Sequence, residues 1–169
     1  MAASVPCHIG LGSNIRPEEN LRGAVQALRA HPALAAVRLS PVYRTPPWGN
    51  TNQAEFLNAV ASLETTLEPL ALLHALQDIE QTLHRERGEH WGPRTMDLDL
   101  LLYGGQVVDL PDLQVPHPYL HQRAFVLIPL CDLAPNGVHP TLGQSFRALR
   151  DALPTGELEG VTPDSLELA

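Results

Sequence analysis

The sequence predicts an α+β fold, in which a four-stranded antiparallel sheet carries two helices on one face. Short apolar runs and stretches of alternating apolar residues are typical of strands, and they are separated by two segments with apolar residues at helical spacing. The order is strand, helix, strand, strand, helix, strand, which is the ferredoxin-like βαββαβ plan. This plan covers one side of the sheet and leaves the other face open for a ligand.

The first strand and the first helix have clear boundaries. Residues Pro6 to Leu11 are typical of a buried strand, and a turn of small and polar residues follows it. Pro17, followed by two glutamates, suits the first turn of a helix. His31-Pro32 ends that helix, since the residue before a proline disfavours helical geometry. The apolar face of the helix consists of Leu21, Val25 and Leu28.

Two further strands and a second helix follow. Residues Val37 to Thr45 alternate like a strand, and Pro41 predicts an edge position or a bulge because proline has no backbone N–H. Residues Phe56 to Leu63 alternate as the third strand. The second helix is predicted from about Glu68 to about Arg85. Its apolar face consists of Leu72, Leu76, Ile79 and Leu83.

The fourth strand, Asp97 to Tyr103, carries the most informative motif. Side chains alternate along a strand, so Asp97 and Asp99 share one face, about 7 Å apart. A hard cation such as Mg²⁺ would relieve their repulsion, and Arg94 stands just upstream to meet phosphate oxygens. An edge strand with solvated acids is the alternative. On the opposite face, three leucines are predicted to point into the core: Leu98, Leu100 and Leu102.

The remainder of the chain is less regular. A short hairpin is predicted around Val107-Val108 after two glycines, and Gln122 to Leu133 is predicted to be helical, with Pro129 breaking or kinking it. Ser145 to Leu153 is a candidate last helix. Pro154 to Ala169 is acidic and weakly periodic, so we expect it to be poorly ordered.

Composition indicates one globular domain. The chain has 169 residues, of which 44% are apolar, enough to bury a core. It lacks a run of about 18 apolar residues, and its start lacks the features of a signal peptide, so we expect a cytoplasmic protein with no membrane partner. The two cysteines, Cys7 and Cys131, are far apart and are expected to be buried, reduced thiols.

Charge and histidine spacing argue against two other classes of protein. The net charge is −8 and all 11 basic side chains are arginine, so a nucleic-acid footprint is not expected. Any phosphate binding must use guanidinium groups. His117 and His121 are four residues apart, but Pro118 lies between them, which disfavours the helical spacing of zinc ligands.

Two shorter motifs remain ambiguous by themselves. Gly10-x-Gly12-Ser13-Asn14 precedes a helix but lacks the remaining residues of a dinucleotide or P-loop fingerprint, so a tight turn explains it. Phe56 and Asn58 share a strand face, where a ring and a two-way hydrogen-bonding amide would suit a flat heterocycle. For such a pair by itself, ordinary packing is the more frequent explanation.

Taken in order, these motifs resemble the 6-hydroxymethyl-7,8-dihydropterin pyrophosphokinase family of folate biosynthesis. The resemblance spans about residues 5 to 135, so we expect a single pyrophosphokinase domain over 1–169 with a C-terminal extension at about 136–169. The motifs that carry it are Gly12-Ser13-Asn14, Tyr43-Arg44-Thr45-Pro46-Pro47, Phe56-Leu57-Asn58, Trp91-Gly92-Pro93-Arg94-Thr95-Met96-Asp97-Leu98-Asp99, and Val115-Pro116-His117 followed by Arg123-x-Phe125.

The resemblance implies transfer of the terminal two phosphoryl groups of ATP, as one unit, to the hydroxymethyl oxygen of the pterin, with release of AMP. Two magnesium ions held by Asp97 and Asp99 would bridge the triphosphate and lower the pKa of the attacking hydroxyl. Arg85 and Arg94 would hold phosphate oxygens, and no covalent enzyme intermediate is implied. Monomeric protein is the default expectation.

The same resemblance assigns the binding residues. The pterin would lie between the rings of Phe56 and Phe125. Its hydrogen-bonding edge would be recognised by Asn58 and by the backbone near Thr45, Pro46 and Trp48. The ATP side would consist of Gln77, Glu80, Arg85, Trp91, Arg94, Leu100, His117 and Arg123. Residues 45–52 and 86–91 are expected to be lids that exclude water.

Departures from the family pattern and two rival functions stay open at this point. Phe56 stands where a tyrosine can stand, and Asp112 and Gln114 stand where an arginine and a threonine can contact ATP. One rival is a ferredoxin-like regulatory module that binds a small ligand without chemistry. The other is a metal-dependent phosphohydrolase, although no additional acid or histidine is evident as a base for water.

Overall fold

The structure is a computed structural model that describes residues 3–46, 55–86 and 96–168, with backbone alone at 85 and 86. None of the helices in these ranges combines the length and the apolar composition that a membrane span requires. In chain order the elements are β1 (Val5–Ser13), α1 (Pro17–Ala30), β2 (Leu34–Leu39), β3 (Tyr43–Thr45), β4 (Phe56–Thr65), α2 (Pro69–Glu86), β5 (Asp97–Tyr103), β6 (Val108–Leu110), β7 (Leu113–Val115), a 3-10 turn (Leu120–Gln122), α3 (Ala124–Leu133), α4 (Phe146–Asp151), α5 (Thr155–Glu159) and β8 (Thr162–Pro163).

The main sheet is antiparallel throughout. Its strand order is β5-β1-β4-β3-β8, and β2 also pairs with β4. The prediction of a mixed fold with helices and an antiparallel sheet is therefore confirmed. The hairpin predicted around Val107-Val108 is present as the separate pair β6-β7.

The second predicted strand is divided in two. The segment expected at Val37 to Thr45 forms β2 and β3, separated by Ser40, Pro41 and Val42. Pro41 has no backbone N–H to donate to a neighbouring strand, so the strand is interrupted there. The preceding residue, Ser40, is held to β4 by two hydrogen bonds. Its backbone N–H donates to the Val60 carbonyl at 2.8 Å, and its Oγ accepts from the Val60 N–H at 2.9 Å.

Helices α1 and α2 pack on one face of the sheet, as predicted. Their apolar stripes are buried against the sheet in a single cluster, and Leu21, Leu28, Leu72 and Leu76 are completely inaccessible to solvent. Fully burying a leucine stabilises the fold by about 1.5–3 kcal/mol, so this layer is a main source of stability. Helix α1 begins directly at Pro17, with Glu18 and Glu19 in its first turn.

A register shift in β5 overturns one detail of the sequence prediction. Leu98 and Leu100 belong to the core under α1 and α2, but Leu102 belongs to a second core on the opposite face. The pairing of β1 with β5 shifts between His8 and Ile9, so the alternation of β5 changes phase after Leu100. One additional residue in a strand moves each later side chain to the other face.

The opposite face of the sheet is not left open along its whole length, which is a second correction. Helices α3 and α4 cover part of it through a cluster that includes Val60, Leu101 and Leu127. Helix α3 is apolar on several sides because it lies between the sheet and α4. It also continues through Pro129, so the helix is not broken there, and the alternative prediction of a kink stays a prediction.

The C-terminal segment is folded, contrary to the expectation of poor order. It forms α5 and β8, and β8 pairs with the edge strand β3. The Asp164 N–H donates to the Val42 carbonyl at 2.9 Å, and the Asp164 carboxylate lies 3.4 Å from Arg44. Leu166 and Leu168 reach the core under α1 and α2, where they are 8% and 7% exposed. Apart from the short helix α5, the segment is an extended strap along the sheet edge, which explains its weak periodicity.

This packing predicts that Leu168→Ala lowers the free energy of unfolding by about 2–4 kcal/mol, because it deletes buried methyl groups and leaves a cavity. Urea denaturation followed by circular dichroism measures the change. Leu142→Ala is the matched control, since Leu142 is 43% exposed and its loss is expected to cost less than about 0.5 kcal/mol. Equal stability of the two variants would show that the tail does not pack as described.

Candidate active site

The acidic pair lies on the sheet face that α3 partly covers. Asp97 is opposite Gly12 on β1, and Gly12 is in turn opposite Asn58 on β4. Asp99 is opposite Gly10 in the same way. Partners across antiparallel strands project to the same side, so the two carboxylates share one face, as the sequence predicted.

The two glycines leave room beside these carboxylates. A Cβ atom at residue 12 would lie only 3.0 Å from Oδ1 of Asn58, and one at residue 10 would contact the Leu101 side chain at 3.5 Å. The Leu101 side chain and the Asn58 amide occupy this space, so glycine at both positions lets them lie directly against β1. Asp97 is half-buried and Asp99 is exposed.

The donor set fits magnesium rather than a caged metal. Within residues 3–46, 55–86 and 96–168, no group of three or more His, Cys, Asp or Glu side chains could hold an ion. Mg²⁺ usually takes one or two protein carboxylates and completes its shell with water and substrate phosphates. An accessible pair such as Asp97 and Asp99 matches this requirement.

A cleft of about 270 Å³ opens beside the acidic pair at the β5 edge. It brings together three of the residues assigned to the metal and ATP: Asp99, Leu100 and His117. Asp112 and Gln114, the two departures from the family pattern, also line it. The remaining lining residues were not anticipated from the sequence, and they are Leu73, Leu98, Pro111, Leu113 and Pro118.

His117 is fixed by two hydrogen bonds to the backbone, and its ring feels the charges of Asp99 and Arg123. Its backbone N–H donates to the Leu101 carbonyl at 3.0 Å, and its Nδ1 accepts from the Tyr119 N–H at 3.2 Å. Burial lowers the pKa of the ring, Asp99 opposes that effect, and Arg123 adds to it. Because Nδ1 accepts a hydrogen bond, the neutral ring carries its proton on Nε2.

Arg123 is held by two aromatic rings. Its guanidinium carbon lies 5.1 Å from the centre of the Tyr119 ring and 5.5 Å from that of Phe125. Such cation–π contacts hold a planar cation in place without neutralising it. The assigned nucleotide residue Arg123 and the assigned pterin residue Phe125 are thereby neighbours.

The polar edge assigned to the pterin is formed by β3 and β4. Asn58 is buried, and its Nδ2 donates to Oγ1 of Thr45 at 3.0 Å. Thr45 is opposite Phe56, which is half-buried and shares a strand face with Asn58. The Thr45 hydroxyl fixes the orientation of the Asn58 amide, and the amide oxygen Oδ1 lies on the side of Gly12 in β1.

The other assigned residues do not line the cleft, and several lie outside the described residues. Gln77 and Glu80 are on α2, one and two turns after the cleft residue Leu73, and therefore on the same helix face. Pro46 is exposed at the end of β3. Trp48, Trp91, Arg94, the side chain of Arg85 and most of the predicted lid segments lie outside the described residues.

Comparison with known proteins identifies the family of this chain. The profile of 7,8-dihydro-6-hydroxymethylpterin-pyrophosphokinase matches residues 8–135. The chain belongs to this pyrophosphokinase family. The resemblance inferred from the sequence motifs is thus confirmed, and the match includes the acidic pair, the cleft and the Asn58 edge.

Curated relatives of the pyrophosphokinase family support the assignment. Each is named 2-amino-4-hydroxy-6-hydroxymethyldihydropteridine pyrophosphokinase. The Pseudomonas aeruginosa protein is 49% identical over 130 residues, which are 76% of this chain and 80% of the relative. The Methylorubrum extorquens protein is 46% identical over 130 residues, covering 76% and 82%. The Synechocystis protein is 39% identical over 166 residues, covering 96% and 84%.

Solved structures show the same fold at low sequence identity. Plasmodium falciparum HPPK-DHPS solved with pteroate has a TM-score of 0.70 and 15% identity, over 89% of this chain and 42% of that chain. A triple mutant of that protein has a TM-score of 0.70 and 17% identity, over 89% and 44%. This pyrophosphokinase chain therefore spans less than half the length of those chains.

Proposed function

We propose that this protein transfers the pyrophosphoryl group of ATP to the hydroxymethyl group of 6-hydroxymethyl-7,8-dihydropterin, giving AMP and the pterin diphosphate. The observation that carries the proposal is the arrangement on one sheet face of the pair Asp97 and Asp99, with a cleft at one side and the buried Asn58 amide at the other. Family membership supplies the two substrates.

The proposal includes the architecture. The core is ferredoxin-like: β5-β1-β4-β2 is the strand order that this plan requires, with β3 continuing the second strand beyond its break. Residues 1–169 form one pyrophosphokinase domain, in which about 136–169 is an extension of the core of about 5–135. We take the monomer as the active unit.

Magnesium fits the acidic pair, and we assign two ions to Asp97 and Asp99. When bound, they would neutralise charge on the triphosphate and favour ionisation of the attacking hydroxyl. The chain itself provides two carboxylates on one face, opposite Gly10 and Gly12 on β1.

The residues around the cleft position the nucleotide. Leu98 and Leu100 offer apolar contact, while His117 offers an Nε2–H donor near Asp99. Arg123 provides an anion-binding fork whose position is set by Tyr119 and Phe125. Gln77 and Glu80 extend this surface along α2, and Arg85, Trp91 and Arg94 are assigned to the phosphates and the base by family resemblance.

The pterin side selects the acceptor. Phe56 and Phe125 provide ring faces, and the Asn58 amide, with Thr45, Pro46 and Trp48, reads the hydrogen-bonding edge. The hydroxymethyl oxygen then forms a bond to the β-phosphorus, the bond from that phosphorus to the α,β-bridging oxygen breaks, and AMP leaves. Such transfer requires alignment and charge stabilisation rather than a covalent enzyme intermediate.

The test is to identify the nucleotide product. Incubation of the protein with ATP, MgCl₂ and 6-hydroxymethyl-7,8-dihydropterin is expected to yield AMP and pterin diphosphate in equal amounts, measured by chromatography. ADP or free phosphate would indicate a kinase or a phosphohydrolase instead. Binding of the pterin without any nucleotide product would indicate a regulatory module. Either result would refute the proposal.

A further inference from the structure

Tyr43 joins the edge of the sheet to helix α3. It lies on β3, directly opposite Asn58 on β4. Its hydroxyl donates a hydrogen bond to Oδ2 of Asp132, a residue 89 positions later in the chain. No motif predicted this contact, because it links two elements that sequence patterns treat independently.

Asp132 and Phe125 share one side of α3. They are seven residues apart, which is close to two helical turns, so their side chains project in nearly the same direction about 10 Å apart along the helix. The bond to Tyr43 therefore acts on the same helix side that presents the Phe125 ring. Tilting or sliding of α3 would displace both residues together.

The other end of the bond acts on the pterin edge. Tyr43 and Thr45 are two residues apart on β3, so they share the sheet face with their partners Asn58 and Phe56. The Thr45 hydroxyl accepts the Asn58 amide hydrogen bond at 3.0 Å. A shift of β3 relative to α3 would thus move the amide edge relative to the Phe125 ring.

The protonation states favour the bond. Burial, the hydrogen bond with Asp132 and the charge of Asp132 raise the pKa of Tyr43, and the charge of Arg150 opposes them. Tyr43 therefore keeps its proton and remains a donor at neutral pH. Arg150, on α4, is itself paired through Nε with Oδ1 of Asp151 at 3.1 Å. A hydrogen bond to a carboxylate is stronger than one between neutral groups.

We propose that Tyr43, through Asp132, is a positioning residue for the acceptor: the bond sets the separation between the Phe125 ring and the sheet face that carries Asn58 and Thr45. This inference rests on the proposed function, because it takes that space as the pterin site. Tyr43 acts through α3 and β3, and no residue of either element lines the cleft at the β5 edge. Loss of the bond should therefore weaken recognition of the pterin more than recognition of ATP, which it reaches only through the contact of Arg123 with Phe125.

Steady-state kinetics of Tyr43→Phe test the proposal. Loss of a charge-assisted hydrogen bond is expected to raise the KM for the pterin about tenfold, with kcat changed less than about twofold and the KM for ATP changed several-fold less than that for the pterin. Asp132→Ala should have the same effect. Asp132→Asn keeps an acceptor oxygen, so it should retain most of the wild-type affinity for the pterin. The double variant Tyr43→Phe/Asp132→Ala should be no worse than either single variant.

Tyr103→Phe is the matched control. It removes a phenol that donates to the Leu67 carbonyl at 2.5 Å, among residues of the core under α1 and α2. This variant should lower the melting temperature without changing the KM for the pterin. An unchanged pterin KM in Tyr43→Phe, an equal rise in both KM values, or additive effects in the double variant would overturn the positioning role.

A binding measurement separates this inference from the proposed function. Each protein is titrated with the pterin, and the fluorescence of the pterin reports binding. The resulting dissociation constant does not depend on pyrophosphoryl transfer. Wild-type protein that binds the pterin but forms no AMP would refute the proposed function alone, and the weaker binding of Tyr43→Phe would still support the inference. Wild-type protein that does not bind the pterin would refute both.

Discussion

Replacing either Asp97 or Asp99 with alanine is expected to lower kcat by at least about 1000-fold, because each carboxylate is assigned to ions that offset charge on the transferring group. Asp97→Asn and Asp99→Asn should be equally inactive, since they keep the shape and lose the charge. The melting temperature should stay within a few degrees, because Asp99 is exposed and Asp97 is only half-buried. Turnover and thermal unfolding measure the two effects.

Asp109→Ala is the control for this experiment. Asp109 is an exposed carboxylate on the β6-β7 hairpin, and it does not line the cleft. Its removal tests whether loss of any nearby negative charge is sufficient to lower turnover. Near-normal turnover in Asp97→Ala or Asp99→Ala would contradict the metal assignment, as would equal inactivation by Asp109→Ala.

Replacing Asn58 with alanine is expected to lower kcat/KM for the pterin by at least about 100-fold, because a site that hydrogen-bonds its substrate depends strongly on that polar partner. The KM for ATP should change little, since the cleft lies at the β5 edge. The buried Thr45 hydroxyl also loses its hydrogen-bond donor, so the free energy of unfolding should fall by about 1–3 kcal/mol. Kinetics with each substrate varied separately measure the first effect, and urea denaturation measures the second.

Asn20→Ala distinguishes recognition from folding. Asn20 is also buried, and its Nδ2 donates to the Ile15 carbonyl at 2.6 Å at the start of α1. Its replacement should reduce stability comparably and leave kcat/KM for the pterin near the wild-type value. If both variants lost activity in proportion to stability, Asn58 would be a structural residue only.

The predictions that succeeded depend on short-range information. The apolar stripes of α1 and α2 follow a helical period that can be counted along the chain, and Leu21, Leu28, Leu72 and Leu76 are buried as expected. The common face of Asp97 and Asp99 follows from strand alternation over three residues. Pro41, whose missing N–H is a local property, predicted an edge or a bulge in one strand, whereas the chain is interrupted there between β2 and β3.

The predictions that failed depend on pairing between distant segments. Leu102 changes face because of how β5 pairs with β1, and a residue count within β5 contains no sign of that shift. The tail lacks helical periodicity, yet Leu166 and Leu168 are buried because β3 offers a free edge for β8. The cleft likewise depends on the approach of the β6-β7 hairpin to β5, so Pro111 and Leu113 carried no recognisable signal.

Local patterns in the sequence predicted the helices α1 and α2 and the common face of Asp97 and Asp99, and the motifs taken together indicated the family. Helical spacing and strand alternation involve residues that are close together in the chain, so both can be counted along it. Long-range packing, in contrast, places α3 over part of the opposite face, brings Tyr43 to Asp132 and pairs the C-terminal segment with an edge of the sheet. These features arise from contacts between segments that are far apart in the chain. The free energy of such contacts depends on which surfaces and strand edges the rest of the fold leaves uncovered.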